Sequence, residues 1–335
     1  MERKAADSGK YTGIQIGKQN AYAKAVHTHN KKGQGREILY LTYHHHHHRY
    51  YQTASGKISV IEFPSQDPKN DTILCIHGIP SDARIFTYVG TKLSQAGYNV
   101  LSMDLPGHGE SEGPRGDLDF EKCLQSINQI VTDLKRSGTR VFIMAHSMGS
   151  TFALWYAHSF KNSVDGLIIM CPYIRIGNIK RSDTEPSTGM FIHLLLRRLF
   201  TPRSTTDMMK VLPQYAKISG EEFEKVVVRE KMVNTEYSYR FLVDIMATRN
   251  SKVAELADIV DPVLLLHGQK DRNVYLQVSE EYLKLLRTQN KELKVLDCDH
   301  WFYDAMFFDQ DSPKYSEESR ARFISAIRDW LGSFH

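Results

Sequence analysis

The sequence has little cysteine: four in 335 residues, at Cys75, Cys123, Cys171 and Cys298. No two stand close enough together for a zinc knuckle or a redox pair, and a reducing, cytoplasmic setting is expected. Three of them fall in apolar runs that read as central strands, where cysteine serves as a small hydrophobe. Long hydrophobic runs are also missing. No window reaches the roughly 18 consecutive apolar residues of a bilayer span, so stable membrane insertion is not expected. The opening stretch, MERKAADSGKYTGIQIGKQN, holds no apolar core of the sort a secretory leader uses, and no signal peptide is expected. Charge of one sign is absent too. With 43 Lys and Arg against 39 Asp and Glu, the net charge is +4, and there is no long basic run or interleaved aromatic pattern to hold nucleic acid. What remains, 41% hydrophobic and 24% charged, is ordinary for a globular chain long enough to bury a sizeable core.

Residues 1–36 are rich in Lys, Gly, Gln and Asn and read as a flexible, loosely packed lead-in. From Glu37 the pattern changes. EILYLTY and KISVIEF read as strands, with TASGK carrying the turn of a hairpin. Between them lies His44 to His48, a run of five histidines without the ligand spacing of a defined metal site, so no metal is expected. Strands and helices then alternate. TILCIHG, NVLSMDLPG, RVFIMA and VDGLIIMCP are apolar runs separated by helical patterns with glycine stops, the signature of a parallel sheet covered on both faces. The alternation breaks over residues 173–258, which are mainly helical in pattern. It resumes with DPVLLLHG, a helix near LQVSEEYLKLLRTQ, the strand ELKVLDCDH and a final helix, SEESRARFISAIRDWLGSF. The reading is one α/β core, residues 37–172 and 259–335, carrying a helical insertion over 173–258.

Within VFIMAHSMGSTFALWYAHSF, residues 141–160, a buried strand stops at Ser147 and a helix begins at once. The positions two residues either side are Ala145 and Gly149. This is the pattern of a nucleophile elbow, in which the turn is so sharp that flanking side chains must be small. The serine is lifted out of the sheet, and the Met148 amide at the helix N-terminus faces a site where negative charge is favoured. Serine is a weak nucleophile and needs a base, which needs an orienting acid. At such an elbow the chain order is serine, acid, histidine. VLLLHGQKD ends at Asp271 and LKVLDCDH ends at His300, both delivered to the same sheet edge as Ser147. Asp258 and Asp261 precede their strand and belong to the opposite edge. His267 reads as packed, Asp297 and Asp299 are poorly offset to orient the base, and His146 reads as a packing residue.

A second amide to stabilise an oxyanion should follow an early strand. CIHGIPSDARIF fits, with Ile79 as donor and His77 holding the loop. DLPGHGESEGPRGDLDF is glycine-rich but lacks the Gly-Lys-Ser/Thr of a phosphate cradle. Asp104 at its start reads as a stabiliser of that loop.

HGIP, DLPGHGESEG, AHSMGS, HGQKD and DH, in this order, resemble an α/β-hydrolase. GHGESEGPRGDLDF is similar to monoacylglycerol lipases, lysophospholipases and the related serine-aminopeptidase-like hydrolases. The whole resembles a microbial carboxylesterase of that group over residues 50–335. The sequence departs from monoacylglycerol lipases at Ile79-Pro80 and in the long aromatic stretch WFYDAMFFDQDSPKY. The resemblance implies a Ser147, Asp271 and His300 triad, oxyanion donors at Ile79 and Met148, no cofactor and no metal. It implies a helical cap, in which Met190, Ile192, Leu195, Leu196 and Leu199 of MFIHLLLRRLF would line an acyl pocket or a lid or else pack the cap onto the core, with Met190, Leu195 and Leu199 as the substrate-binding residues. The expected function is hydrolysis of a small-molecule carboxylic ester, of short or medium acyl length or monoacylglycerol-like. A lysophospholipase, acyltransferase, thioesterase or aminopeptidase would use the same triad, and a non-catalytic receptor the same fold. An aminopeptidase needs acidic groups to hold an amine, and Glu221, Glu222, Glu224 and Glu236 read as a solvated helix face.

Overall fold

A computed structural model describes residues 12–16, 21–29, 35–41, 47–219, 233–249, 252–306 and 315–334. The chain divides into two compact units, residues 1–47 and 48–335. In the first, β1 (Thr12–Ile16), β2 (Ala21–His29) and β3 (Gly35–Leu41) form an antiparallel sheet in the order β1-β2-β3. The expected flexible lead-in over 1–36 therefore contains two strands and the first two residues of a third. EILYLTY contributes to that sheet and is not the hairpin partner of KISVIEF. That partner is β4 (His47–Thr53), joined to β5 (Gly56–Phe63) by a turn at Ala54 and Ser55 that Thr53 Oγ1 closes on the Gly56 carbonyl at 2.8 Å. The turn joining them is short, so its closure entropy is small. His47 and His48 are strand residues, His48 Nδ1 lying 3.1 Å from Ser59 Oγ, whereas His44–His46 fall outside the described residues.

The second unit is built on an eight-stranded sheet. After β5 come β6 (Thr72–Ile76), β7 (Asn99–Met103), β8 (Val141–His146), β9 (Gly166–Met170), the short β10 (Thr205–Asp207) and β11 (Glu236–Ser238), then β12 (Val263–Gly268) and β13 (Lys291–Leu296). The spatial order is β13-β12-β9-β8-β6-β7-β5-β4. Pairs from β13 across to β7 are parallel, and β5 runs antiparallel to β7. Every residue of β6, β8, β9 and β12 is buried, as their unbroken apolar runs require when helices cover both faces.

The covering helices are α1 (Thr87–Gln95), α2 (Phe120–Lys135), α3 (Met148–Ser159) and two later helices, over Leu276–Leu285 and Glu317–Gly332. α2 buries Phe120, Cys123, Leu124, Ile127, Ile130 and Val131, one stripe at helical spacing, and Asp119 caps its N-terminus by accepting from the Lys122 amide at 3.1 Å. α3 is buried on every side from Met148 to Ala157, which fixes the elbow in the middle of the core. No helix among the described residues is long and apolar enough to cross a membrane.

Between β9 and β12 the chain leaves the sheet. It forms α4 (Thr188–Phe200), the β10-β11 pair, α5 (Met208–Val211), α6 (Pro213–Ser219) and α7 (Tyr239–Val243), followed by a π-helical turn over Asp244–Arg249. Two clasps tie this insertion down. At one, Ser238 donates its amide to Gly116 O at 2.9 Å and its hydroxyl to Asp117 at 2.6 Å, and Arg240 Nη2 donates to the same carboxylate at 2.9 Å. Gly116 sits at φ +70°, and a Cβ there would lie 1.8 Å from the Glu236 carbonyl, so only glycine permits the approach. At the other, Tyr275 N donates to Arg181 O and Asp183 N to Arg272 O. The Arg181 guanidinium is buried, paired with Glu185 at 2.6 Å and stacked over Tyr173. Asp117→Ala removes the acceptor for both Ser238 and Arg240 and should lower stability by about 2 kcal/mol; an unchanged urea midpoint would show that this clasp does not hold the insertion.

Candidate active site

Strand register decides what meets at the sheet edge. Ile76 pairs with Ala145 and His146 with Met170, so the chain leaving β6 emerges beside the chain leaving β8. Ser147 takes φ 53°, ψ −122°, a conformation that non-glycine residues rarely adopt. It is held there by its amide, which donates to Met170 O at 2.9 Å, and by its carbonyl, which accepts from Ser150 N at 3.0 Å. A Cβ on Gly149 would stand 2.4 Å from Ile76 O and 2.6 Å from His77 O, so the position two after the serine admits no side chain. Gly78 presses on the elbow from the next strand, where a Cβ would lie 3.0 Å from His146 O and 3.5 Å from Met148 N.

Asp271 and His300 follow β12 and β13. His300 Nδ1 donates to Asp271 Oδ2 at 2.7 Å, and Asp271 Oδ1 accepts from the amides of Asn273 and Val274 at 2.8 and 2.9 Å. Burial alone would raise the Asp271 pKa. The His300 charge and hydrogen bond, with His267 and the Cys171 thiol, outweigh it and hold the carboxyl below its ordinary value. With Nδ1 donating, the lone pair of neutral His300 is on Nε2, which is buried without a hydrogen-bond partner. The residue before the elbow seats this imidazole. His146 Nε2 donates to His300 O at 2.9 Å, and the two rings lie 4.6 Å apart. The arrangement offers a carboxylate to support an imidazolium, an unprotonated imidazole nitrogen and a strained serine at one edge.

The other candidates are occupied elsewhere. His267 donates Nε2–H to Val274 O and accepts from Ser279 Oγ. Although Cys171, His267 and Asp271 are close enough together to suggest a metal cluster, both ring nitrogens and both carboxylate oxygens already have partners. Asp104 accepts from Ala83 N at 2.7 Å and Glu110 N at 2.9 Å, and burial with Asp82 nearby pushes its pKa up to about 7. It ties two loops together, as expected of a stabilising residue. Asp297 pairs with Lys270, Asp258 with Lys161 and Arg287, and Asp299 accepts from the Trp301 amide.

Ile79, Ser147 and Met148 share one cavity. The insertion supplies most of its remaining wall: Tyr173, Thr184, Met208, Leu212, Tyr215, Phe241, Leu242, Ile245 and Met246, with Asn273 from the loop after Asp271. Its free volume is about 40 Å³. No acidic side chain lines it among the described residues.

Residues 67–303 match the model of the hydrolase family described as serine aminopeptidase, S33. The chain belongs to this family. Among curated relatives, an uncharacterized protein of Mycobacterium tuberculosis is 35% identical over 98 residues, 29% of this chain and 28% of that protein, so the chain spans little more than a quarter of its length. A monoglyceride lipase homolog of monkeypox virus is 24% identical over 260 residues, 76% of this chain and 87% of that protein. A soluble variant of Saccharomyces cerevisiae monoglyceride lipase superposes with a TM-score of 0.70 at 21% identity, covering 86% of this chain and 94% of that one. The monoacylglycerol lipase of Paleococcus ferrophilus gives 0.66 at 22%, covering 86% of this chain and 100% of that one. At these identities the likeness establishes the fold, which is that of an α/β-hydrolase with a mostly parallel central sheet.

Within this S33 fold the expected acyl-pocket residues are misplaced. Met190, Leu195 and Leu199 do not line the cavity; Leu195 is 41% exposed and Leu199 73%, and only Leu194 of α4 is buried. MFIHLLLRRLF carries apolar residues on more than one face, so its sequence does not single out an inward one. The wall is assembled from the short α5, α6 and α7, the π-helical turn after α7 and the loop residues Tyr173, Thr184 and Leu212, segments too short to show a helical period.

The loops framing the site are held by neutral histidines. His77 donates Nδ1–H to Gly78 O and accepts from Leu105 N, as expected of a loop-holding residue. His108 donates to Pro106 O and accepts from Tyr237 Oη of the insertion. Burial lowers His77 to about 4, and burial with the neighbouring His77 lowers His108 to about 3. Below the ordinary histidine value of 6.5 the unfolded chain takes up a proton that folded His108 refuses until about pH 3, so this group destabilises the fold as pH falls through that window. His108→Gln should flatten the pH dependence of unfolding free energy by about 1.4 kcal/mol per pH unit between roughly pH 6 and 4; parallel curves for the two proteins would refute a neutral buried His108.

Proposed function

We propose that the protein is a serine carboxylic-ester hydrolase working through Ser147, His300 and Asp271. The observation that carries this is the His300 imidazole, clamped by Asp271 at Nδ1 and left with a buried, unpartnered Nε2 at the edge where the strained Ser147 projects. In this reading Ser147 Oγ attacks the ester carbonyl and its proton passes to His300 Nε2. Ionised Asp271 stabilises the imidazolium. The carbonyl oxygen becomes an oxyanion that accepts from the Met148 amide, at the N-terminus of α3, and from the Ile79 amide. His300 returns the proton to the leaving alcohol as the acyl-enzyme forms. Water then repeats the sequence and frees the acid. No cofactor or metal enters these steps, and the four free, buried cysteines suit a reducing, cytoplasmic setting.

The insertion acts as the cap. Its wall is apolar, which favours an uncharged acyl group, and at about 40 Å³ of free volume each added methylene requires side chains such as Met208 and Met246 to move further aside. Short and medium acyl esters are therefore the preferred substrates. The monoglyceride lipases and the esterase of Exiguobacterium antarcticum among its structural neighbours are named for ester chemistry, which agrees with this class. The aminopeptidase in the family's description is disfavoured, because the described cavity wall offers no carboxylate to hold an amine. Of the acidic residues in the insertion that could hold an amine, Glu236 is exposed on β11, and Glu221, Glu222 and Glu224 fall outside the described residues.

Ser147→Ala should reduce kcat on p-nitrophenyl butyrate by at least about 10⁴-fold with the melting temperature unchanged. Wild-type protein, and not this variant, should be labelled by a fluorophosphonate. Turnover should be greater on the butyrate than on the palmitate ester. Retained turnover in the variant would eliminate Ser147 as nucleophile, and a palmitate maximum would replace the closed-pocket esterase with a long-chain lipase.

A further inference from the structure

The Ile79 amide belongs to the core, but the residue carrying it is gripped from the insertion. Tyr215 on α6 donates its hydroxyl to Ile79 O at 2.9 Å across 136 residues of sequence. Its side chain is buried and lines the cavity with Ile79, Ser147 and Met148.

Two peptide planes meet at Ile79. The first contains the Gly78 carbonyl and the Ile79 N–H. Gly78 O accepts from Ser81 Oγ at 2.7 Å and from His77 Nδ1 at 2.8 Å. In a planar trans peptide the C=O and N–H point in opposite directions, so anchoring Gly78 O aims the Ile79 N–H. The second plane contains the Ile79 carbonyl and the nitrogen of Pro80, which has no N–H to be held. Its single hydrogen-bonding group is Ile79 O, and Tyr215 takes it. The core thus fixes one side of Ile79 and the insertion fixes the other.

We propose that Tyr215 is a positioning residue for ester hydrolysis: by holding Ile79 O from the cap, it keeps the Ile79 amide aimed at the developing oxyanion. The inference rests on the reading of Ile79 and Met148 as oxyanion donors. It makes the oxyanion site a joint product of core and cap, complete only with α6 seated. Because Tyr215 acts on a donor and not on the acyl group, its hydroxyl affects the transition state more than ground-state binding.

Tyr215→Phe keeps the ring in the wall and removes the hydroxyl. On p-nitrophenyl butyrate kcat should fall about tenfold, less than the loss of a whole oxyanion donor, with KM within about twofold. A trifluoromethyl ketone, whose serine adduct carries an oxyanion, should bind the variant more weakly by the same factor. Unchanged kcat and ketone affinity, or a rise in KM alone, would reduce Tyr215 to a wall residue and overturn the inference. Wild type and Ser147→Ala in the same series separate the two failures. If wild type turns over, Ser147→Ala does not, and Tyr215→Phe equals wild type, only this inference fails. If wild type neither hydrolyses the ester nor binds the ketone, the hydrolase reading fails and takes this inference with it.

Discussion

One constraint organises the molecule: a fully buried strand must become a fully buried helix at a single residue. β8 and α3 both lie in the core, so no loop can be inserted between them without burying unsatisfied backbone. The turn is closed instead by forcing Ser147 to φ 53° and satisfying its amide and carbonyl locally. The surrounding sequence follows from that. Gly149 has no side chain because the carbonyls of Ile76 and His77 stand where it would be, and Gly78 has none because the elbow does. The strain is borne by the packing of β6, β8 and β9, which are buried along their whole length.

Desolvation sets the chemistry around this turn. Burial keeps His77, His108 and His146 neutral well below their ordinary range, so each serves as a fixed donor and acceptor. Asp271 is buried as deeply, but the imidazole of His300 and two backbone amides overcome the penalty and favour its ionised form. The same low-dielectric surroundings therefore produce neutral scaffolding histidines and one stabilised carboxylate. What offsets burial at Asp271 is its set of donors, the His300 imidazole and the amides of Asn273 and Val274.

The insertion walls the cavity beside Ser147 without contributing to the eight-stranded sheet. It is tied to the core at Gly116 and Asp117 on one side and through Arg181 and Asp183 on the other, and between these clasps it lays Met208, Leu212, Tyr215 and Phe241 over Ser147. α4 carries the most conspicuous apolar run in this region, yet it turns Ile192, Leu195, Leu196, Leu199 and Phe200 outward.

The sequence by itself determined the order of the core strands and helices, the elbow at Ser147 and the strand-end positions of Asp271 and His300. These are local properties: unbroken apolar runs mark strands buried on both faces, and a sharp turn restricts its own neighbours to small residues. Tertiary structure decided the rest. The hairpin partner of β5 was not legible locally, since EILYLTY and HHRYYQT both have strand-like composition. The antiparallel sheet of the first unit formed in a stretch whose polar composition suggested none. The cavity wall was settled by how α5, α6 and α7 settle on the core, because in short helices joined by turns the inward face is chosen by packing and leaves no periodic trace. The hydrogen bond from Tyr215 to Ile79 has the same origin: two residues 136 apart meet only because the insertion folds back over the sheet edge, a long-range contact that local pattern does not encode.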